Sequence, residues 1–151
     1  MRRRRERTDR GAAAVEFALI LIPIVLILFG LVQYGLYFYS AQTGSNAVNA
    51  AVRQLAVGNC QGANQLRDYV DNELGAAKTD THAQTTVVWK KFDNSPATAV
   101  TDAGVGGNVT LTISFHSVNM HFPLVPFLSD SWVDRRAQAR VEDIADQGCG
   151  S

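Results

Sequence analysis

One uncharged stretch constrains this chain more than any other feature. Residues 17–38 read FALILIPIVLILFGLVQYGLYF, with no charged side chain and with Gln33 as the only strongly polar one. As a helix this stretch rises about 33 Å, enough to cross the hydrocarbon core of a bilayer. Because hydrocarbon offers no partners to backbone N–H and C=O groups, a single crossing must be helical. The sequence therefore predicts one transmembrane helix.

The charges around this segment are unequally distributed, although the chain has a formal net charge of zero. Six arginines and two acids fall within residues 1–10, which makes that stretch +4 and leaves the remainder at −4. Basic residues beside a span stay in the cytoplasm, so we expect a cytoplasmic N-terminus and an extracytoplasmic chain beyond about residue 40. Tyr34, Tyr37 and Tyr39 suit the outer interface, where amphipathic rings are favoured.

A cleaved secretory signal is the main alternative for this N-terminus. The apolar core of such a signal has about 7–15 residues, and residues 17–38 exceed that length. Ser45-Asn46-Ala47 is the one candidate small-x-small site, and it lies well past the apolar end. The pattern favours a helix that stays in the membrane.

The helical pattern continues beyond the span. Small and apolar residues recur at spacings of three and four as far as Ala56, with polar residues on the other faces. This predicts one helix over 12–57 that stops at Gly58-Asn59. A second amphipathic helix is predicted over 63–77, with an apolar stripe of Leu66, Tyr69, Val70 and Leu74.

Strand patterns occupy the second half of the chain. Residues 85–92 are rich in β-branched and aromatic side chains, and residues 108–118 and 132–142 alternate apolar with polar side chains, although Arg135 interrupts the apolar set. Half-buried strands suit an antiparallel sheet covered by helix on one face.

We therefore expect an α+β fold with a long N-terminal transmembrane and stalk helix, a second helix and a small antiparallel sheet. About 110 residues remain outside the leader and span, which is enough for one small core. The expected division is a basic leader, a transmembrane and stalk helix, and an extracytoplasmic domain, at residues 1–11, 12–58 and 59–151.

Two connections interrupt the predicted sheet. Residues 93–107 are rich in Gly, Ala, Thr and Asp, so we expect a mobile loop there. Residues 119–131 carry six large apolar side chains around Pro123 and Pro126. The pattern leaves two interpretations open, a cap on the core or an exposed patch for a partner.

The two cysteines of the chain are Cys60 and Cys149. In an oxidising compartment an even count favours a bridge, so we predict a Cys60–Cys149 disulfide. Two unpaired thiols are the alternative.

The most specific pattern joins a glycine and an acid to the start of the span. Residues 10–17 read RGAAAVEF, which places Gly11 five residues before Glu16 and sets Phe17 next to the acid. A carboxylate at the mouth of a membrane span is energetically costly and requires an explanation. On charge alone, Glu16 could simply lie among the headgroups beside arginine.

The Gly-x-x-x-x-Glu-aromatic spacing resembles the processing site of type IV prepilins, in particular the tight-adherence (Tad/Flp) branch. Residues 10–58 resemble the TadE family of pilus-assembly pseudopilins along their whole length, and VDRRAQARVE at 133–142 is similar to the closing strand of that family. The resemblance implies cleavage between Gly11 and Ala12 by a prepilin-type peptidase. It further implies that Glu16, with Phe17 beside it, acts in assembly by pairing with the free amine of a neighbouring subunit.

Other chemistry is sparse in the sequence. His82, His116 and His121 are scattered without metal-ligand spacing, and neither a G-x-S-x-G motif nor a phosphate-binding loop is present. We expect no enzyme activity, metal, cofactor or small-molecule substrate. Membrane orientation explains the leader arginines better than nucleic-acid binding does.

The favoured interpretation is a structural or assembly component, a minor pseudopilin of a Tad/Flp pilus or secretion machine in the bacterial cytoplasmic membrane. Its expected partners are membrane lipid, other pilins and pseudopilins, platform proteins of the pilus and the prepilin-type peptidase. The alternative is an uncleaved, membrane-anchored extracytoplasmic binding module.

Overall fold

The first third of the chain forms one continuous helix. The computed structural model describes residues 5–120 and 131–145, with side chains from residue 11 onward. Helix α1 spans Arg5–Ala56 and runs through Pro23 without interruption. Within these described ranges it is the one helix that is long and apolar enough to cross a membrane. The predicted helix over 12–57 is confirmed.

The remaining helices are short. Helix α2 (Ala63–Leu74) buries Leu66, Val70 and Leu74, and a single 3-10 turn follows at Gly75–Ala77. Gly75 has φ +49°, a conformation that favours glycine, and the α-helix therefore ends three residues before the predicted boundary. Helix α3 (Val100–Ala103) is one turn long.

Four antiparallel strands form a single sheet in the order β2-β1-β3-β4. The strands are β1 (Gln84–Lys90), β2 (Pro96–Ala97), β3 (Asn108–His116) and β4 (Trp132–Arg140). Strand β3 lies in the centre, pairing with β1 from Gln84↔Ser114 to Lys90↔Asn108 and with β4 from Asn108↔Arg140 to His116↔Trp132. The α+β fold and its antiparallel sheet are confirmed.

The core lies between this sheet and the C-terminal part of α1. Strand β3 contributes its fully buried alternate residues Val109, Leu111, Ile113 and Phe115. The opposing residues come from α1 and α2, mainly Ala47, Val48, Ala51, Val52, Leu55, Leu66, Val70 and Leu74. Alternation on the strand and helical spacing on α1 place these two apolar faces against each other.

Arg135, which interrupts the apolar face of β4 in the sequence, does point toward α1. Its Nε donates to the carbonyl oxygen of Ala41 at 3.1 Å, and Nη1 donates to the carbonyl oxygen of Asp134 at 2.8 Å. The guanidinium thus finds backbone acceptors at the rim of the core, and its carbon stem packs against the helix.

The connection at 93–107 has more regular structure than its composition predicts. It contains β2 and α3, and Val100 and Ala103 of α3 are buried in a small cluster with Val141. Lys91 and Asp102 form an ion pair of 2.9 Å across it. Tertiary burial of two apolar residues therefore gives this stretch regular structure, which its local composition does not indicate.

Of the apolar connection at 119–131, only its ends are described. The two interpretations, a core cap and an exposed patch, concern mainly residues 121–130, which lie outside the described residues.

Gly44 is a point of close contact between α1 and the sheet. A Cβ at this position would lie 2.8 Å from Cε1 of Phe115 and 3.3 Å from Cγ of Arg135. Because the Phe115 ring is fully buried, it has no free space into which to move. Gly44 therefore allows the central strand to approach the helix.

We expect Gly44→Ala to destabilise the domain. Overpacking costs about 1–3 kcal/mol, against a gain of up to about 1 kcal/mol in helix propensity. The matched control is Gly35→Ala on the same helix, where a Cβ meets nothing within 4 Å. Thermal unfolding of the full chain in detergent should show a lower Tm for Gly44→Ala alone. An unchanged or higher Tm would contradict the close-contact role.

Candidate processing and assembly segment

The residues singled out by sequence lie together near the N-terminal end of α1. Gly11, Ala12, Glu16 and Phe17 are all exposed on one uninterrupted helix. Gly11 and Glu16 are about 7.5 Å apart along the axis at 1.5 Å per residue. The whole segment is therefore exposed, and no described part of the domain covers it.

Glu16 lies in a wholly apolar stretch of helix surface. Its neighbours Val15 and Phe17 are 60% and 66% exposed, and the exposed apolar surface continues to Val32. No described side chain makes an ion pair or hydrogen bond with Glu16. If this surface lies in lipid, the carboxylate needs headgroups, water or a cation from another molecule to compensate its charge.

Gly11 has open space around it. A Cβ added there meets nothing within 4 Å, so close packing within the chain does not explain the glycine. A glycine inside a helix weakens it by about 1 kcal/mol relative to alanine. Local opening of the backbone, which a peptidase needs, is therefore easier at this residue.

Gln33 closes the exposed stretch, and sequence reasoning did not assign it a role. Although it lies in the uncharged segment, it is only 1% exposed. Its Oε1 accepts a hydrogen bond of 2.9 Å from the backbone N–H of Met120, and its Nε2 makes a long contact of 3.5 Å with the carbonyl oxygen of Val118. The sequence signal that could have indicated this role is that Gln33 is a lone amide in an otherwise apolar span.

Beyond Gln33 the domain lies directly on the helix. The Ser40 hydroxyl donates to the carbonyl oxygen of Ala77 at 2.7 Å in a buried position. At the other end, the N–H groups of Glu142 and Asp143 both donate to the carbonyl oxygen of Ala56, at 2.7 and 3.2 Å. The C-terminal part of α1 is therefore one wall of the domain, attached from residue 33 to residue 56.

A cluster with potential metal-ligand geometry lies beside α2. Asp68, Asp71 and His82 each offer one potential ligand atom. These three atoms all lie within 4.8 Å of one another. Burial opposes ionisation of Asp71, but hydrogen bonds from the Ala83 N–H and His82, together with Lys78 at 3.4 Å, hold its pKa below the usual value. Lys78 already compensates this carboxylate, so the cluster acts as a structural link between α2 and the start of β1.

Cys60 is fully buried just beyond the end of α1. The chain after β4 returns to the same place, since a Cβ on Gly58 would lie 2.5 Å from the carbonyl oxygen of Ala145. Cys149 is outside the described residues, so the disulfide stays a prediction. Cys149 is four positions after Ala145, a reach of about 13 Å in extended chain.

We expect non-reducing peptide mass spectrometry of protein from native membranes to find Cys60 linked to Cys149. Closing a loop of about 90 residues stabilises by roughly 4–5 kcal/mol in the chain-entropy model. Reduction should therefore lower the Tm of the full chain, whereas the same treatment of Cys149→Ser should not. Two thiols that alkylate freely without reductant would contradict the bridge.

The comparison with known families finds a match over most of α1. The model of the TadE family, described as TadE-like protein, matches residues 11–53. Searches of curated proteins and of solved structures found no significant match. The matched stretch begins at Gly11, includes Glu16 and Gln33, and extends into the wall of the domain. The family resemblance inferred from the sequence is thereby confirmed over these residues: this protein carries a TadE-like N-terminal segment.

Proposed function

We propose that the protein is a minor pseudopilin, a non-enzymatic component that helps to assemble a Tad/Flp-type pilus or secretion machine in the bacterial cytoplasmic membrane. The TadE-like match supports an association with such machinery. The long apolar helix supports single-pass anchoring, and the arginine-rich leader supports a cytoplasmic N-terminus.

The observation that carries the proposal is the position of Glu16. It is the only acid in residues 11–38, and it lies on an exposed apolar helix surface without a described partner. A plain membrane anchor has no need of such a charge, whereas a subunit that packs its helix against others can supply a cation there.

Cleavage after Gly11 would provide that cation. Removing residues 1–11 takes away a +4 leader, which would resist extraction of the helix from the membrane, and creates an amine on Ala12. Ala12 and Glu16 are four residues apart, so the pair could form within one chain as well as between subunits. We favour the pair between subunits, because it links a costly buried charge to assembly.

Four kinds of partner follow from this proposal. Membrane lipid surrounds the span, and a prepilin-type peptidase reads the segment around Gly11. Other pilins and pseudopilins pack against the exposed helix, and platform proteins of the pilus receive the assembled subunits.

We expect the mature protein to begin at Ala12, and Gly11→Leu to retain the leader because a bulky residue obstructs the peptidase. The structure makes this test sharp, since a Cβ added at Gly11 meets nothing within 4 Å. Gly35→Leu, at another open helix glycine, is the control that should still be cleaved. Intact-mass measurement of the wild type, Gly11→Leu and Gly35→Leu shows whether each protein has lost its leader. Wild-type protein that begins at Met1 or Arg2 in assembled machinery would exclude processing.

We expect the Glu16→Ala variant to insert into the membrane normally. Its pilus formation, or its co-purification with pilins, should fall about tenfold or more, because loss of one member of a buried ion pair costs several kcal/mol. Val15→Ala is the matched control, since it truncates an exposed neighbour and keeps the charge. If Glu16→Ala assembles as well as Val15→Ala, the carboxylate is only an interfacial residue.

The two experiments also separate the alternative function. An uncleaved anchored binding module would keep its leader in the wild type and would tolerate Glu16→Ala. No described contact specifically favours that alternative.

A further inference from the structure

A sharp change in exposure occurs on α1 at Gln33. The two residues before it, Leu31 and Val32, are 70% and 43% exposed, whereas Gln33 is buried beneath the backbone of Val118 and Met120. The contact lies five residues inside the uncharged segment, which ends at residue 38. The domain therefore reaches the helix at a level that composition assigns to the membrane.

We propose that the end of the domain at Val118–Met120 is a lipid-contact surface, seated in the outer interface of the bilayer with the Met120 side chain among the lipids. This inference rests on the membrane anchoring in the proposed function. It adds that the domain lies on the outer leaflet and is not held above it.

The length of the helix fixes the depth. If the inner hydrocarbon edge lies at Gly11, about 30 Å of hydrocarbon ends near residue 31; if it lies at Glu16, it ends near residue 36. Gln33 is then either about 3 Å above the outer edge or about 5 Å below it. Both placements put Met120, whose N–H is bound to Gln33, within the headgroup–acyl boundary.

The chemistry of the neighbouring residues agrees with this level. Met120 is apolar and 53% exposed, although it is held beside a buried polar contact. Phe38 and Tyr39 are 67% and 54% exposed, about 7–9 Å further along the helix. Exposed aromatic rings at this height are typical of the membrane interface.

Met120 is bound through its N–H to Gln33, which directly follows the exposed apolar residues Leu31 and Val32 of α1, and this proximity favours lipid over a second copy as the occupant of the surface. A copy that covered Met120 would have to enter the same interfacial layer beside the helix. An apolar side chain at this level is already in a favourable environment when lipid alone surrounds it.

The test uses quenching of tryptophan fluorescence by bromine in the full chain. Met120→Trp, Ile24→Trp and Val105→Trp each replace an apolar residue that is at least 53% exposed, so the fold should accept all three. Ile24 lies within the span. Val105 lies at the opposite end of the domain, where Gly106 bonds to Val141 next to the end of α1.

Each variant is reconstituted in phosphatidylcholine vesicles with or without bromines on the upper acyl carbons. The unsubstituted protein, with its native Trp89 and Trp132, provides the spectrum to subtract. We expect the bromines to reduce the added Met120→Trp emission roughly twofold, because interfacial residues lie within about 5–10 Å of the acyl boundary. The Ile24→Trp emission should fall as well, and the Val105→Trp emission should not.

The outcomes distinguish the two proposals. If Ile24→Trp is quenched while Met120→Trp behaves like Val105→Trp, the helix spans the membrane and the seating of the domain is wrong. A Met120 position buried by a second copy would give this same result, with emission shifted to the blue. If Ile24→Trp is not quenched, membrane anchoring itself fails, and the seating fails with it.

Discussion

The structure depends on one constraint, that a backbone in hydrocarbon must satisfy its own hydrogen bonds. Helix α1 meets that requirement through its apolar part, and its stretch from Gln33 to Ala56, about 35 Å long, forms a wall of the domain. A single element thus has two kinds of surface. Its N-terminal part exposes apolar residues on all sides, and its C-terminal part buries one face against the sheet and presents polar residues on the other.

Small and polar residues determine where the domain sits on α1 more than large apolar residues do. Gly44 allows Phe115 to approach the helix, and Gln33, Ser40 and Ala41 exchange hydrogen bonds with the chain around them. Apolar packing supplies most of the favourable free energy, but it is non-directional. These specific contacts fix the height and rotation of the sheet relative to the helix.

Much of the fold could be predicted from sequence because its elements carry strong local signals. The uncharged run and its helical continuation predicted α1, and alternation predicted β3 and β4 to within two residues at each end. The Gly11–Phe17 segment was singled out by its spacing, and the family match over residues 11–53 begins at the same glycine.

The remainder depends on contacts between distant parts of the chain. Gln33 bonds to a residue 87 positions away, and Arg135 bonds to a carbonyl 94 positions away, so no local pattern reveals either role. The stretch at 93–107 has the composition of a loop, and its short helix forms because Val100 packs on Val141.

The bond pattern along α1 has a mechanical consequence. Strand β4 lies alongside the helix, and its continuation is tied to the helix end by the two N–H groups that share the Ala56 carbonyl. A force along the helix axis at the N-terminal end of α1 therefore loads these contacts in shear. The load is shared by the hydrogen bonds at Gln33, Ser40, Ala41 and Ala56, because the helix cannot shift along the sheet without breaking all of them. The domain would follow an axial displacement of its helix as a rigid body, with little extension between the two.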